Sequence, residues 1–451
     1  MLKFNDLNAY QLDIAKQILK KPLCAVWLEA GLGKTITVLT AIKTLIKTGR
    51  SKKVLVIAPP RVAVEVWPRE LSSWDFLADL KHSVISGEKK HYSSMDESTK
   101  ESDIVVMSST LLTYYSPKDR KTKFSISFIK QFDTLIVDES SMYKNNSSVR
   151  TKLIGSIAHN FIRIIQLTAT PYTNSSEDVF MQMRMLRCHQ IGLNVTEFRR
   201  NYMERVGNYY TYKDKSPNTI KEVIHLCSDK IIQMDKRIYL PKVIHREVDF
   251  VMTDYHKEVY KRFNDDVVTV LENGNLLDAT RSLIKLRQLA CGFIYTESGT
   301  ETICNKRVEV LKEIVESTNS NCIAVYHFNE ELAMIKKILP YAVDFRDTGA
   351  IDKWNNKKIK LLLIHPNSAG HGLNLQYGGN VMIWSSPSMG DYERFHQTNA
   401  RIARIGGSET AIYHHILAKG TVDKGLKNAI DKKASNALEV IRYLRLLKQS
   451  S

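Results

Sequence analysis

Residues 27–35 read Trp27-Leu28-Glu29-Ala30-Gly31-Leu32-Gly33-Lys34-Thr35. An apolar run from Leu23 to Leu28 precedes the glycines and predicts a short buried strand, and a helix-like run follows Thr35. Strand, glycine-rich turn and helix together predict a phosphate-binding loop, because glycines let backbone N–H groups face an anion and the helix N-terminus favours negative charge. The strict pattern has glycine where Leu28 stands, and a glycine-rich turn without a ligand is the alternative interpretation.

The side chains of this loop predict its cofactors. Lys34 can reach the β- and γ-phosphates of ATP, and the Thr35 hydroxyl can hold Mg²⁺. The remaining contacts to the nucleotide are assigned to the loop residues Gly31, Leu32 and Gly33.

A further candidate nucleotide contact precedes the first strand. The segment Leu7-Asn8-Ala9-Tyr10-Gln11 begins a short amphipathic helix. The Gln11 amide both donates and accepts hydrogen bonds, so it can pair with an adenine edge. Taken alone, an exposed helical glutamine is the simpler interpretation of this residue.

Composition limits the class of protein. The chain has 451 residues, of which 43% are hydrophobic and 25% charged, as is typical of a globular protein with two or three domains. No apolar run is long enough to span a bilayer, and residues 1–6 lack a signal-peptide core. The six cysteines are scattered without a Cys-x-x-Cys pair, which predicts reduced thiols in a cytoplasmic protein.

The charge of the chain predicts a partner. The net charge is +17, and the isoelectric point is about 9.4. A basic surface of this size favours a polyanion, most simply a nucleic acid. Solvated lysines without a partner are the alternative interpretation.

A carboxylate pair ends a later strand. The apolar run Leu135-Ile136-Val137 leads directly into Asp138-Glu139. A carboxylate at the end of a buried strand is costly unless a cation lies near it. Because a phosphate-binding loop is predicted earlier in the same sheet, Asp138 is assigned to the Mg²⁺ shell and Glu139 to the attacking water. A helix N-cap is the alternative role for the aspartate.

Alternating strands and helices predict an α/β protein with two parallel sheets. In the first half, strand-like runs cover residues 23–28, 54–58, 103–107, 135–137 and 162–167. In the second half they cover residues 323–326, 342–344, 360–364, 381–384 and 412–417. Between the two sets the pattern is mainly helical, and the Met-rich stripe from Phe180 to Leu186 is assigned to packing.

Three motifs of the first half resemble those of a known family. Motifs I, II and III of the superfamily-two helicase-like ATPases are similar to Gly31-Leu32-Gly33-Lys34-Thr35, to Asp138-Glu139-Ser140-Ser141 with Lys144-Asn145, and to Leu167-Thr168-Ala169-Thr170-Pro171. The Lys-Asn pair resembles the Swi/Snf branch, which lacks the first glycine of the loop and often has Ala-His where Ser140-Ser141 stands. The resemblance implies two tandem RecA-like lobes with helical insertions and with ATP bound between the lobes.

The second half carries two further resemblances. Motif V is similar to Ser368-Ala369-Gly370-His371-Gly372-Leu373-Asn374-Leu375, and motif VI to Gln397-x-x-x-Arg401-x-x-Arg404-Ile405-Gly406. The resemblance implies that Gly372, Asn374 and Gln397 contact the nucleotide. Arg401 and Arg404 are three residues apart, so on a helix they share one face, and their guanidinium groups suit a γ-phosphate during phosphoryl transfer. A solvated basic face is the alternative interpretation of the two arginines.

The chain is therefore predicted to have three parts. Residues 1–175 form the N-terminal RecA-like ATP-binding lobe, residues 176–300 a helical insertion and linker region, and residues 301–451 the C-terminal RecA-like lobe. Leu240-Pro241-Lys242 marks a linker, because proline breaks local helix. From Thr421 an amphipathic pattern predicts a long C-terminal helix that braces one lobe against the other.

The combined motifs predict a nucleic-acid-stimulated ATPase of the Swi/Snf-like type. The resemblance points to translocation on double-stranded DNA that remodels DNA or protein–DNA complexes, with single-stranded DNA or RNA as less favoured tracks. A strand-separating DNA or RNA helicase and a non-catalytic DNA-binding regulator are the alternatives. We expect a monomeric motor without membrane contact, with room for a targeting protein partner, in the cytoplasm of a bacterial or virus-infected cell.

Overall fold

Two parallel β-sheets with connecting helices form the framework of the computed structural model. It describes residues 1–85, 99–114, 126–172, 175–206, 211–234, 241–272, 276–297, 299–369, 375–389, 391–404, 407 and 410–431. The chain divides into two compact units, Met1–Ile238 and Tyr239–Ser451. Among the described residues, no helix combines the length and the apolar character that a membrane span requires.

The first unit contains a seven-stranded sheet with the strand order β3-β4-β2-β5-β6-β1-β9. Every neighbouring pair in this sheet is parallel. The strands β2, β4, β5 and β6 are buried along their whole length, as is typical of a parallel sheet covered on both faces. The strands of the unit are β1 Leu23–Trp27, β2 Val54–Ala58, β3 His82–Ile85, β4 Ile104–Ser108, β5 Thr134–Asp138, β6 Arg163–Thr168, the hairpin β7 Met203–Val206 and β8 Thr211–Asp214, and β9 Ile231–Gln233.

The described α-helices of the first unit precede β1 or lie between later strands in the chain. They are α1 Ala9–Lys20, α2 Lys34–Lys47, α3 Trp67–Ser73, α4 Ile126–Ile129, α5 Val149–Ala158, α6 Glu177–Met185, α7 Val195–Tyr202 and α8 Thr219–Leu226. In the Met-rich stripe, Phe180, Met183 and Met185 are buried in the hydrophobic core of the unit. The assignment of this stripe to packing is therefore confirmed.

The second unit contains a six-stranded sheet with the order β10-β17-β16-β13-β15-β14, again with parallel neighbours throughout. Its strands, with the antiparallel hairpin β11–β12, are β10 Lys242–Phe250, β11 Phe293–Thr296, β12 Gly299–Thr302, β13 Cys322–Val325, β14 Val343–Asp344, β15 Leu361–Ile364, β16 Val381–Trp384 and β17 Thr410–Ala418. Its helices are α9 Asp254–Glu272, α10 Leu276–Cys291, α11 Lys306–Ser317, α12 Asn329–Ile338, α13 Ala350–Asn355, α14 Pro366–Ala369, α15 Tyr392–Asn399 and α16 Val422–Asp431.

The predicted α/β class with two parallel sheets is confirmed. Strand β10 was not predicted, because its edge position leaves most of its side chains exposed and its sequence shows no buried apolar run. The division into residues 1–175, 176–300 and 301–451 stays a prediction. The predicted C-terminal helix is described only as α16, since residues 432–451 lie outside the described part of the chain.

A buried arginine joins several elements of the second unit. The Arg307 guanidinium donates to the backbone oxygens of Ala290 (2.9 Å), Ser385 (2.7 Å) and Ile416 (2.9 Å), and it forms an ion pair with Asp423. Both side chains of this ion pair are almost fully buried. The arginine therefore ties α10, α16 and the ends of β16 and β17 together around one charge.

We predict that Arg307→Ala lowers the free energy of unfolding by about 3–5 kcal/mol, because it leaves the buried Asp423 carboxylate without its cation. Arg262→Ala is the control, since its ion pair with Glu258 is exposed and contributes about 1 kcal/mol or less. Urea unfolding of both variants measures the difference. An equal effect of the two substitutions would contradict a central role for the buried pair.

Candidate nucleotide-binding site

The register of the first sheet gathers the predicted site residues at one edge. Trp27 at the end of β1 pairs with Thr168 of β6, and Leu167 of β6 pairs with Asp138 at the end of β5. Because all these strands are parallel, the glycine-rich loop after β1 and the Asp-Glu pair of β5 leave the sheet at the same edge.

The backbone of the loop requires its glycines. Gly31 has φ 93° and Gly33 has φ 64°, and Gly33 caps the N-terminus of α2 in the left-handed conformation. A Cβ atom at Gly33 would lie 2.5 Å from the Gln11 side-chain nitrogen Nε2. The following helix spans 14 residues from Lys34, so its N-terminal N–H groups open onto the loop.

The lysine of the loop lies over the loop itself. The Lys34 ammonium donates to the backbone oxygens of Leu28 at 3.1 Å and of Glu29 at 3.4 Å. Its charge also acts on Asp138, whose pKa it lowers against the opposite effect of burial. The ammonium is thus held against the glycine-rich turn, where the phosphates of a nucleotide would need positive charge.

Helix α1 covers the loop with two side chains. The Tyr10 hydroxyl donates to the Leu32 oxygen at 3.0 Å. The Gln11 oxygen Oε1 accepts from the Asn8 backbone N–H at 2.8 Å, and this hydrogen bond caps the N-terminus of α1. The Gln11 nitrogen Nε2 faces Gly33. Gln11 is only 6% exposed, so the interpretation as an exposed helical glutamine is wrong. Its contact with an adenine edge stays a prediction.

Asp138 is a buried carboxylate that accepts two hydrogen bonds. Its Oδ2 accepts from the Trp67 indole N–H at 2.9 Å, and its Oδ1 accepts from the Glu139 backbone N–H at 3.0 Å. The residue is 7% exposed, and burial raises its pKa above the usual range, whereas the Trp67 hydrogen bond and the Lys34 charge lower it. Glu139, with φ 52°, precedes a short helical turn over Ser140–Tyr143, and Asp138 does not cap that turn.

The donor set fits Mg²⁺. The oxygen donors are the Asp138 carboxylate at the end of β5 and the Thr35 hydroxyl in the first turn of α2. Mg²⁺ prefers oxygen ligands and is commonly bound by one or two protein groups together with phosphates and waters. Among the described residues no cluster of three or more His, Cys, Asp or Glu side chains could hold a metal ion, and a magnesium–nucleotide site needs none.

A glutamine of α6 joins motifs II and III. The Ser140 hydroxyl donates to Gln182 Oε1 at 2.7 Å, and Gln182 Nε2 donates to the Pro171 oxygen at 2.6 Å. The Gln166 side chain of β6 in turn donates to the Gln182 backbone oxygen at 2.8 Å. The residue after the Asp-Glu pair is therefore held by the same side chain that holds the turn after β6.

The second unit places the two arginines differently from the prediction. Helix α15 ends at Asn399, so Arg401 and Arg404 lie in the turn after it and do not share a helix face. Asn399 ends the helix because its side-chain oxygen accepts from the Trp384 indole at 2.9 Å and its backbone oxygen accepts from the Tyr413 hydroxyl at 2.7 Å.

Within that turn the two arginines differ in exposure. Arg401 is 4% exposed, which contradicts a solvated face at that position, whereas Arg404 is partly exposed and its Nε donates to the Ala400 oxygen at 2.8 Å. Gln397, on α15, is buried and donates to Glu393 at 3.4 Å. The candidates Gly372 and Asn374 lie outside the described residues.

Three contacts of the site were not predicted from the sequence. They involve the side chains of Tyr10, Trp67 and Gln182. Each lies in an ordinary helical segment, where an aromatic or amide residue gives no motif of its own. Only the contact that the side chain makes across the fold distinguishes it.

Known proteins resemble this chain over most of its length. Residues 24–307 match a family model described as an SNF2-related domain. Protein p41 of Acyrthosiphon pisum secondary endosymbiont phage 1 is 28% identical, over 92% of this chain and 93% of that protein. An uncharacterized ATP-dependent helicase of Mycoplasma genitalium is 24% identical, over 88% of this chain and 38% of that protein.

Other relatives are longer proteins. The human DNA annealing helicase and endonuclease ZRANB3 is 22% identical, over 91% of this chain and 38% of that protein. The chain therefore spans well under half the length of the Mycoplasma and human relatives.

A solved structure also resembles this chain. The Sulfolobus solfataricus SWI2/SNF2 ATPase core in complex with double-stranded DNA is 18% identical, with a TM-score of 0.44, and the match covers 95% of this chain and 91% of that one.

We predict that Gly33→Ala weakens nucleotide binding, because its methyl group would displace the Gln11 amide, the predicted adenine contact, from its place over the loop. Gly49→Ala is a matched control, since Gly49 has a similar φ of 68° and no atom within 4 Å of the added Cβ. Both variants lose about 1–2 kcal/mol of stability through left-handed strain. Urea unfolding and titration with a fluorescent ATP analogue separate the two effects. Unchanged nucleotide affinity in Gly33→Ala would contradict the assignment of the loop.

Proposed function

Because the chain belongs to the SNF2-related domain family, we propose that it is a DNA-stimulated ATPase that translocates on double-stranded DNA. Membership of this ATPase family implies the use of ATP. The observation that carries the proposal is the buried Asp138 carboxylate, on which the charge of Lys34 acts, at the sheet edge where the glycine-rich loop begins. A carboxylate is costly to bury unless it serves a charged ligand.

Each residue of the first unit has a proposed role in hydrolysis. Lys34 binds the β- and γ-phosphates, and the loop from Gly31 to Gly33 contributes backbone N–H groups. Thr35 and Asp138 would hold Mg²⁺, which supplies positive charge to the β- and γ-phosphate oxygens when bound. Glu139 orients the attacking water and accepts its proton.

Two arginines have a further proposed role in hydrolysis. Arg401 and Arg404 supply guanidinium charge that stabilises the negative charge developing during phosphoryl transfer. Gln397, Gly372 and Asn374 contact the nucleotide or its phosphates. Arg404 is favoured as the group that reaches the phosphate, since it is the more exposed of the two arginines.

Charge and relatives favour DNA as the track. A net charge of +17 supports binding to a phosphate backbone, which accounts for most of the affinity of a sequence-independent motor. The human relative is named for an action on DNA, and the phage relative, matched over nearly its full length, favours action in a phage-infected cell. Remodelling of DNA or of protein–DNA complexes follows as the proposed outcome of translocation.

The Mycoplasma relative, named an ATP-dependent helicase, favours strand separation as the second candidate function. Displacement of a third strand from a DNA triplex reports translocation without unwinding, and release of a strand from forked DNA or RNA reports unwinding. We expect triplex displacement that requires ATP, without strand release. Strand release at a comparable rate would replace the translocase proposal by the helicase one. The absence of hydrolysis in a single turnover would leave a DNA-binding regulator.

We predict that Lys34→Ala reduces DNA-stimulated ATP hydrolysis by about 100-fold or more, because the transferred phosphoryl group loses its contact with the positively charged ammonium. Binding to duplex DNA should stay within about twofold of the wild type, since it depends on the distributed basic surface. Lys47→Ala, at the exposed end of the same helix, serves as the control and should retain both activities. Equal loss of hydrolysis and DNA binding in Lys34→Ala would contradict the assignment.

A further inference from the structure

We propose that Trp67 is a positioning residue that fixes the Asp138 carboxylate for Mg²⁺. This inference rests on the proposed function, because it assigns a role toward the magnesium–nucleotide complex. Trp67 is the first residue of α3, and it is completely buried. Its indole Nε1 donates to Asp138 Oδ2 at 2.9 Å across the fold, from a segment 71 residues earlier in the chain.

The chemistry of indole suits a positioning role. An indole N–H donates a hydrogen bond and accepts none, so Trp67 cannot replace the carboxylate as a metal ligand. Its planar ring is locked by burial, which fixes the direction of the N–H. The second carboxylate oxygen accepts from the Glu139 backbone N–H at 3.0 Å. One rigid donor on each oxygen therefore sets the rotation of the carboxylate and leaves further lone pairs on both oxygens for a metal ion or its waters.

The bond also holds the carboxylate in place. Asp138 is 7% exposed, and the donor that reaches its Oδ2 belongs to a completely buried ring. A hydrogen bond from such a fixed donor orients the carboxylate before the ligand arrives. Partners of this kind, behind the metal ligands, typically change metal affinity by about 10–100-fold when they are removed.

The residue that follows α3 offers a matched control. The Trp74 indole, one residue beyond α3, donates to Glu70 Oε2 at 3.1 Å, and this pair lies within one turn of chain. Replacing either tryptophan by phenylalanine removes one indole–carboxylate hydrogen bond and keeps an aromatic ring. Only Trp67→Phe removes a bond to the predicted magnesium ligand.

The experiment measures binding of a fluorescent ADP analogue against free Mg²⁺ concentration, and in EDTA, for the wild type, Trp67→Phe and Trp74→Phe. We expect Trp67→Phe to need about 10–100 times more Mg²⁺ for half-maximal enhancement of binding, with affinity in EDTA within about twofold of the wild type. Trp74→Phe should match the wild type in both. If Trp67→Phe does not fold, 3-benzothienylalanine at position 67 keeps the shape and removes only the N–H, with the same expected shift.

Two outcomes overturn the inference: an unchanged Mg²⁺ requirement in the Trp67 variants, or an equal shift in Trp74→Phe. A wild type whose nucleotide binding does not respond to Mg²⁺ would also overturn it. Failure of the proposed function is seen separately. A wild type that binds nucleotide with Mg²⁺ but never hydrolyses ATP, with or without DNA, contradicts the motor and leaves the Trp67 shift measurable.

Discussion

The first unit depends on how it compensates one buried negative charge. Asp138 ends a fully buried strand, and burial alone would favour its neutral form. Three groups act against that tendency: the Lys34 ammonium, the Trp67 indole and the Glu139 backbone N–H. They come from α2, from α3 and from the residue after β5. Helices α2 and α3 and strand β5 must therefore all be in place for the charge to be tolerated.

Much of this arrangement could be predicted from the sequence, because it follows from local patterns. The apolar runs at β1 and β5 predict buried parallel strands, and their parallel order brings the glycine-rich loop and the Asp-Glu pair to one edge. The loop residues Gly31 and Gly33 have the positive φ angles that a phosphate-binding turn requires. In these cases the residue type and its neighbours in the chain already determine the structure.

The rest depends on contacts between distant segments. No local pattern distinguishes Trp67, whose partner lies 71 residues away, or Gln182, which joins two motifs through its amide. The helical interpretation of residues 401–404 fails for the same reason, because Trp384 and Tyr413 bind Asn399 and end α15 early. Strand β10 is likewise recognised by its nine-residue pairing with β17 and not by its exposed, charged sequence. Tertiary hydrogen bonds override the local pattern at each of these positions.

The central claim is the proposal that Lys34 and Asp138 bind ATP with its Mg²⁺ and that Arg404 stabilises the charge that develops during hydrolysis. The most direct measurement is the DNA-stimulated ATPase rate and the nucleotide affinity of Arg404→Ala, with the exposed Arg246→Ala as reference. We expect a rate at least about 1,000-fold lower in Arg404→Ala with nucleotide affinity within a few-fold of the wild type. Wild-type hydrolysis by Arg404→Ala would contradict it.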